Sequence, residues 1–322
     1  MARADRLALM ARVAGMYHEE GKTQPQIATR LYLSQAKVSR LLKEAREVGI
    51  VKISVSVPMG LHTELEAGLR SSYGLKDAVV VDDVEGDGDL ILRNLGSAAA
   101  YYLSTTLGKD EVIGISSWSA TLLAMVDALH PISGPQALRV VQMLGGLGKP
   151  AAQKNATLLT ERLAALTGAT AQLLPAPGVV GSAAVREALM ADPYVQQTFE
   201  AMQSITLGLV GIGALEPSTL LAASGNFFAD DALRELRDLG AVGDVCLTFI
   251  DGAGDLVRAP LDDCVIAVNL EQLRTAPRVV GVAGGAGKLP AIRGAILGGW
   301  INVLITDRTT AERLLALASV TA

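Results

Sequence analysis

The sequence predicts an α/β protein in which a small all-α unit precedes a larger domain with a mainly parallel sheet. Half of the 322 residues are apolar and only 4% are aromatic, a composition typical of a well-buried α/β core. From Ala78 onward, short runs of Val, Ile and Leu alternate with amphipathic stretches, as parallel strands and their covering helices do. Because the length allows two domains and Pro58 and Gly60 mark a linker, we expect domains at 1–57 and 58–322.

The N-terminal unit is predicted to hold three short helices. Apolar residues recur at helical spacing over 6–19. Thr23 can cap the second helix, with Gln26 completing a capping box, and Ser34 can cap the third. The third helix has apolar side chains at i, i+3, i+4 and i+7, namely Val38, Leu41, Leu42 and Ala45. Two short helices joined by a tight turn in this way indicate a helix-turn-helix.

The opposite face of the third helix is polar and suits contact with duplex DNA. Gln and Arg can bond base edges, while Ser and Lys can hold phosphates. The residues expected to contact DNA are Thr23, Gln24, Ser34, Gln35, Ala36, Lys37, Ser39, Arg40 and Lys43. Gly49 is expected to end the helix. The alternating run IVKISVSVP that follows predicts a strand, either a wing or a connection out of the unit.

Charge favours the DNA interpretation. Residues 1–52 carry ten Lys and Arg against five Asp and Glu, whereas the remainder of the chain is acidic. Phosphate neutralisation supplies most of the affinity for DNA, so a basic end on an acidic protein favours DNA contact at that end alone. The alternative is a merely solvated face, since similar helix pairs occur in proteins that never touch DNA.

The second part of the chain alternates strands and helices throughout. The predicted strands are AVVVDD, EVIGIS, LRVVQML, TAQLLPAP, ITLGLVGIG, DVCLTFID, CVIAVNL, RVVGVAGG and INVLITD, and the predicted helices include 61–73, 92–107, 119–130, 155–166 and 291–297. This order indicates a Rossmann-like α/β domain. Ligand sites in such sheets lie at the carboxyl ends of the strands.

Two loops at strand ends contain side chains that suit the binding of a small ligand. The first, GISSWSAT, contributes Ser116, Ser117, Trp118, Ser119 and Thr121, whose hydroxyls and ring suit a sugar or a phosphate. The second, AGGAGKLPAI, offers glycines and Lys288 for an anion, and it departs from a Walker A loop at Val282 and Leu289. Helix capping with a core tryptophan, and an exposed lysine on a glycine turn, are the structural alternatives.

Weaker candidates end two other strands. They are Gln142, Gly145 and Gly146 after one strand, and Asp244, which could accept a sugar hydroxyl, although an Asp at a strand end more often caps a turn.

Several classes of protein are disfavoured. Cys246 and Cys264 form no motif, the three histidines lack metal-ligand spacing, and GLVGIG does not fit the dinucleotide fingerprint. We therefore expect no metal, no cofactor and no visible catalytic nucleophile. No signal peptide and no apolar run of about 20 residues is present, so we expect a cytoplasmic protein without a membrane partner.

Taken together, the motifs resemble the SorC-type sugar-binding transcriptional regulators over nearly the whole chain. The N-terminal unit matches in TQPQIATRLYLSQAKVSRLLKEAREVGIVKI. The remainder matches in GLKDAVVVDD, GISSWSATL, VVQMLGG, LLPAPG, LGLVGIG, GAVGDVCLTFIDGAG, VVGVAGGAGK and INVLITDRTTAERLL. Many members have Gly after the tryptophan, where this chain has Ser119, and an Asn where it has Leu144.

The resemblance implies a repressor or activator that forms dimers or tetramers and responds to a sugar, sugar phosphate or polyol. Its effector domain would be similar to sugar-phosphate isomerase and CoA-transferase folds. The first loop would bind hydroxyls or phosphate, Gly145 and Gly146 would line the pocket, Asp244 would take a hydroxyl, and Lys288 would hold a phosphate. The chain would regulate a carbohydrate catabolic operon by binding operator DNA. The alternative is an isomerase-like enzyme with a DNA-binding head.

Overall fold

The computed structural model describes residues 3–51, 61–83, 88–132, 137–146, 150–216 and 230–321. The chain divides into two compact units, Met1–Pro58, here called the head, and Met59–Ala322, here called the body. The expected boundary at 57/58 and most of the run IVKISVSVP lie outside the described residues, so the boundary and the wing stay predictions.

The head contains the three helices that the sequence predicts, α1 (Arg3–His18), α2 (Gln24–Leu31) and α3 (Gln35–Glu47). Ser34 Oγ accepts from the Lys37 amide at 3.3 Å, which confirms the expected cap of α3. At α2 the Thr23 amide donates to Gln26 Oε1 at 2.9 Å, as a capping box requires, whereas the Thr23 side chain makes no capping bond. The apolar positions of α3 are buried together with Ile27 of α2 and Val13 of α1. The head therefore has a small core of its own.

The body is built on a seven-stranded parallel sheet, with a smaller antiparallel sheet beside it. The strands are β1 (Asp77–Val81), β2 (Val112–Ile115), β3 (Arg139–Gln142), β4 (Thr170–Gln172), β5 (Leu207–Gly211), β6 (Gly213–Ala214), β7 (Ala241–Val245), β8 (Thr248–Asp251), β9 (Arg278–Val282) and β10 (Val303–Asp307). The large sheet has the order β1-β10-β9-β5-β2-β3-β4, and the small one β6-β7-β8. The predicted parallel sheet is thus confirmed.

Helices cover both faces of the large sheet. They are α4 (Thr63–Tyr73), α5 (Gly88–Thr106), α6 (Ala120–Ala128), α7 (Pro150–Thr167), α8 (Ala183–Met190), α9 (Pro193–Met202), α10 (Asp230–Asp238), α11 (Leu270–Leu273), α12 (Leu289–Leu297) and α13 (Arg308–Thr321). Leu95 and Leu122 pack in the apolar cluster of one face, and Leu69, Ile292 and Leu314 in that of the other. Strand side chains alternate between the two clusters, as continuous Val and Ile runs allow.

Two strand predictions were wrong. The run DVCLTFID is not one strand but the hairpin of β7 and β8, which turns at Cys246 and Leu247 with φ of 53° and 60°. Two consecutive positive φ values are typical of a tight hairpin turn, and that turn normally uses Asn or Gly, so the sequence carries no turn signal here. The run CVIAVNL forms no strand, because its residues make only isolated bridges at Val265 and Ala267.

Candidate functional site

The head presents the polar face of α3 to solvent. Val38, Leu41, Leu42 and Ala45 point into the core, so the side chains on the opposite side of the helix point outward. All nine residues expected to contact DNA are exposed except Gln24, which is half-buried. The bidentate pair of Arg6 with Glu44, closest at 2.7 Å, joins α1 to α3 and helps to hold the helix in place.

The body contains a cavity of about 300 Å³ at the carboxyl ends of three neighbouring strands, β9, β5 and β2. We call it the strand-end cavity. Parallel strands bring their carboxyl ends to one edge, so the loops that follow them converge there. It is lined by Gly88, Ile91, Leu92, Leu95, Ser116, Trp118, Ser119, Ala120, Thr121, Leu144, Gly211, Ile212, Gly213, Ala214, Glu216, Asp244, Cys246, Leu247, Gly284 and Lys288.

The hydroxyls of the first loop form a directed chain. Thr121 Oγ1 donates to the carbonyl of Val282 at 2.9 Å. Since that uses the only hydrogen of Thr121, Ser119 must donate in the 2.8 Å bond between the two hydroxyls. The Leu122 amide also donates to Ser119 Oγ, at 3.3 Å. Ser119 can therefore offer a ligand only a lone pair, and the ligand must supply the hydrogen.

Trp118 fills the core and lines the cavity at the same time. Its side chain is buried in an apolar cluster that includes Leu144 and Phe249. Its indole Nε1 donates to the Gly145 carbonyl at 3.1 Å, which uses its only polar atom. Trp118 thus offers the cavity an apolar ring held in a fixed orientation.

Four of the expected ligand residues do not line the cavity but support its wall. Gln142 is buried, with Nε2 donating to Ser117 Oγ at 2.9 Å and Oε1 accepting from the Leu174 amide at 3.1 Å. Ser117 in turn donates to the Leu144 carbonyl at 2.8 Å. A Cβ on Gly145 would lie 2.2 Å from the Pro177 carbonyl oxygen, and one on Gly146 the same distance from Gln142 Nε2. The polar groups of Gln142 and Ser117 are thus bonded within the protein, and the two glycines are needed for close packing.

Asp244 and Lys288 are the charged candidates that the cavity does bring together. Asp244 Oδ2 accepts from the Leu247 amide at 2.9 Å. Burial raises the pKa of Asp244 to about 6, although this hydrogen bond and the charge of Lys288 oppose the rise. Burial lowers the pKa of Lys288, because it disfavours the charged ammonium, and the carboxylate of Asp244 opposes this decrease. Gly213 faces Asp244, where a Cβ would lie 2.0 Å from Oδ1, so any larger residue would displace the carboxyl group.

The loop that carries Lys288 is anchored from beneath. The amide of Gly285, whose φ is 92°, donates to Oδ2 of buried Asp307 at 2.7 Å, and Thr310 Oγ1 donates to the same oxygen at 2.7 Å. Among the described residues, the ammonium of Lys288 has no hydrogen-bond or ion-pair partner. A fixed glycine loop with an uncommitted cation is a common arrangement for holding an anion.

Sequence reasoning missed the other face of the cavity. Ile91, Leu92 and Leu95 of α5 line it, and so do Glu216 and Cys246. The apolar spacing of α5 signals burial alone, and Cys246 gives no motif. Burial raises the pKa of the Cys246 thiol to about 12, despite an opposing hydrogen bond from Ser116, so the thiol stays neutral.

Other kinds of site have no support in the part of the chain that the structure describes. It holds no group of three or more His, Cys, Asp and Glu side chains arranged to bind a metal ion. No helix in that part is long and apolar enough to cross a membrane.

The helix-turn-helix head and the strand-end cavity define a class, the DNA-binding regulators with a ligand-binding α/β domain. The family model described as "Putative sugar-binding domain" matches residues 57–316, which is most of the chain. The chain belongs to this family of sugar-binding transcriptional regulators.

Two transcriptional regulators are similar to this chain over nearly its full length. The sorbitol operon regulator of Klebsiella pneumoniae is 32% identical, with 98% of this chain and all of the relative covered. The deoxyribonucleoside regulator of Bacillus subtilis (strain 168) is 30% identical, with 95% of this chain and 96% of the relative covered. The crystal structure of the full-length K. pneumoniae sorbitol operon regulator SorC superposes with a TM-score of 0.72 at 29% identity, covering 96% of this chain and 98% of that one.

Proposed function

We propose that this protein binds operator DNA through α3 and that a small carbohydrate in the strand-end cavity controls its affinity for that DNA. The observation that carries the proposal is the composition of the cavity. It combines an acceptor at Ser119, a fixed apolar ring at Trp118, a carboxyl group at Asp244 and an uncommitted cation at Lys288. Hydroxyls, a ring face and an anionic group are what these elements recognise together.

The head supplies the DNA-binding half of the proposal. Arg40 and Gln35 are exposed on α3 and can reach base edges, while Lys37, Lys43 and Ser34 can hold phosphates. Two heads in a symmetric homodimer or homotetramer would read the half-sites of a pseudo-palindrome. A regulator of this kind acts on chromosomal DNA in the cytoplasm, and its relatives' names favour a carbohydrate catabolic operon as the target.

The ligand acts by preferring one state of the protein. Its effect on DNA affinity equals its differential affinity for the DNA-binding and DNA-free states, and DNA reciprocally changes the affinity for the ligand. The cavity favours two chemical classes. Lys288 and its glycine loop favour a phosphate, whereas Leu144, Leu92 and Ile91 favour a less hydroxylated molecule, such as a deoxysugar or a polyol.

The test is a fluorescence anisotropy titration of the full chain against duplexes from upstream of its own gene and the neighbouring operon. Each titration is repeated with sorbitol, 2-deoxyribose 5-phosphate and fructose 6-phosphate. We expect sequence-specific, salt-sensitive binding that one class of compound alters. Specific binding that no carbohydrate alters would refute the effector assignment. The absence of specific binding would refute the regulatory function of the head.

One observation favours a second function. A carboxyl group with a pKa of about 6 next to a lysine is an arrangement that general acid–base catalysis uses. An isomerase-like activity would appear as interconversion of sugar phosphates followed by NMR, and Asp244→Asn would abolish it. Unchanged spectra over many hours at high protein concentration would leave the sensor as the function of the cavity.

A further inference from the structure

Tyr32, the residue that connects the two helices of the helix-turn-helix, has an unusual backbone and an unusual exposure. It lies between α2, which ends at Leu31, and Ser34, the cap of α3. Its φ and ψ are 54° and 43°, in the left-handed region that bulky residues rarely adopt. Its side chain is 96% exposed, whereas the neighbouring Leu33 packs against the head core.

The fold of the head does not account for the tyrosine. The turn is closed by backbone groups, since the amide of Tyr32 donates to the Thr29 carbonyl at 3.4 Å and that of Leu33 to the Ala28 carbonyl at 2.9 Å. A glycine would adopt the same backbone at no steric cost. Within the described residues, the Tyr32 hydroxyl has no hydrogen-bond partner and the ring stacks on no other ring. Strained, exposed residues of this kind concentrate at binding surfaces.

We propose that Tyr32 contacts the sugar–phosphate backbone of bound DNA, with its hydroxyl donating to a phosphate oxygen and its ring against a deoxyribose. The contact rests on the proposed role of α3. When the N-terminal residues of a recognition helix enter the major groove, the turn before them lies beside the strand that borders the groove. Tyrosine hydroxyls are among the groups that bond DNA phosphates. Tyr32 would therefore add affinity without adding sequence specificity.

The test uses a labelled duplex of mixed sequence, because a contact with the DNA backbone does not depend on the operator. Anisotropy titrations of the full chain at several salt concentrations compare the wild type with Tyr32→Gly, Tyr32→Phe and Lys43→Ala. We expect Tyr32→Phe to weaken binding about tenfold and Tyr32→Gly about thirtyfold, since a hydrogen bond to a charged group and ring packing are lost in turn. Both should leave the salt dependence unchanged, because tyrosine releases no counterion.

Lys43→Ala serves as the positive control, since losing one phosphate contact makes the slope of log K against log salt less steep by about 0.9 for each head that is bound. The melting temperature of Tyr32→Gly should equal or exceed that of the wild type, which separates lost contact from lost folding. Binding by Tyr32→Gly as tight as the wild type, beside a weakened Lys43→Ala, would overturn the Tyr32 contact alone. A wild-type chain that binds no duplex would overturn both this contact and the role of the head.

Discussion

The head and the body differ in how many bonds their polar side chains have left to make. On the head, Gln35, Lys37 and Lys43 are exposed, and Arg40 donates to the Ala36 carbonyl of its own helix at 3.2 Å. In the body, Ser117 and Gln142 spend their hydrogen bonds on neighbouring backbone or on each other. Exposure alone thus identifies the proposed DNA-binding surface. The proposed ligand site is identified instead by the few polar atoms that make no hydrogen bond within the described residues of the body.

Substitution of Arg40 tests the head with the largest expected effect. Arg40→Ala should weaken specific operator binding at least about thirtyfold, because each base contact contributes about 1–3 kcal/mol and a symmetric dimer loses two. Anisotropy against the operator measures the loss, and effector-induced thermal stabilisation of the body should be unchanged. Arg12→Ala, which removes the same charge from α1, is the matched control. Specific binding that survives Arg40→Ala would reject this face of α3.

Substitution of Lys288 tests the cavity in the same manner. Lys288→Ala should raise the half-effective concentration of a phosphorylated effector about tenfold to a hundredfold, since a hydrogen bond to a charged group contributes about 1.5–3 kcal/mol. Operator affinity without effector should stay at the wild-type value. Lys109→Ala, at an exposed position in the loop before β2, controls for net charge. An unchanged dose curve would remove Lys288 from the site.

Substitution of Gln142 tests whether the supporting residues differ from the binding residues. Gln142→Leu leaves the Leu174 amide without its acceptor, which should cost about 1–3 kcal/mol of unfolding free energy and lower Tm by roughly 2–12 °C in a unit of this size. The effector concentration at half-maximal response should change little below that temperature. Calorimetry measures the first effect, and exposed Gln197→Leu on α9 is the control. A large shift in effector response with wild-type Tm would make Gln142 a ligand residue after all.

The pH dependence of stability tests the burial of Asp244. Its pKa is about 6 in the folded chain and near 3.8 in the unfolded chain. Between these values the folded state holds a proton that the unfolded state has lost, so the unfolding free energy falls as pH rises from about 4 to about 6. Urea denaturation of wild type and Asp244→Asn across this range measures the difference. Identical slopes for the two proteins would show that Asp244 does not titrate there.

The sequence predicted most of the fold because its signals are local. Capping residues such as Thr23 and Ser34, and the spacing of Val38 with Leu42, act within a few positions and hold in any surroundings. The β2 and β10 strands, VIGI and VLITD, consist mostly of Val, Ile and Leu and are buried throughout, as strands of a covered parallel sheet are. The turn at Cys246 was missed because its left-handed backbone is imposed by the hairpin rather than favoured by its residues.

The sequence predicted which residues follow the carboxyl ends of the strands, but not which of their side chains face the cavity. Ser116, Ser119 and Lys288 line the cavity, as their position after β2 and β9 suggests. Gln142 also stands at a strand end, yet its amide turns inward to reach the Leu174 amide, a partner 32 residues away. Only the folded arrangement shows which of two strand-end residues has its hydrogen bonds already taken.

The hydroxyl chain runs from Ser119 through Thr121 to the Val282 carbonyl and leaves the Ser119 oxygen as an acceptor. This wall of the cavity would therefore distinguish a ligand that carries an alcohol from one that carries a ketone at the same carbon. A secondary alcohol facing Ser119 would bring its own proton and could donate it to the Ser119 oxygen. The ketone at the same carbon would set its oxygen against the oxygen of Ser119 and be repelled. A sugar alcohol and the ketose made from it by removing two hydrogens differ at just such a carbon, so this wall can tell the reduced compound from its oxidation product.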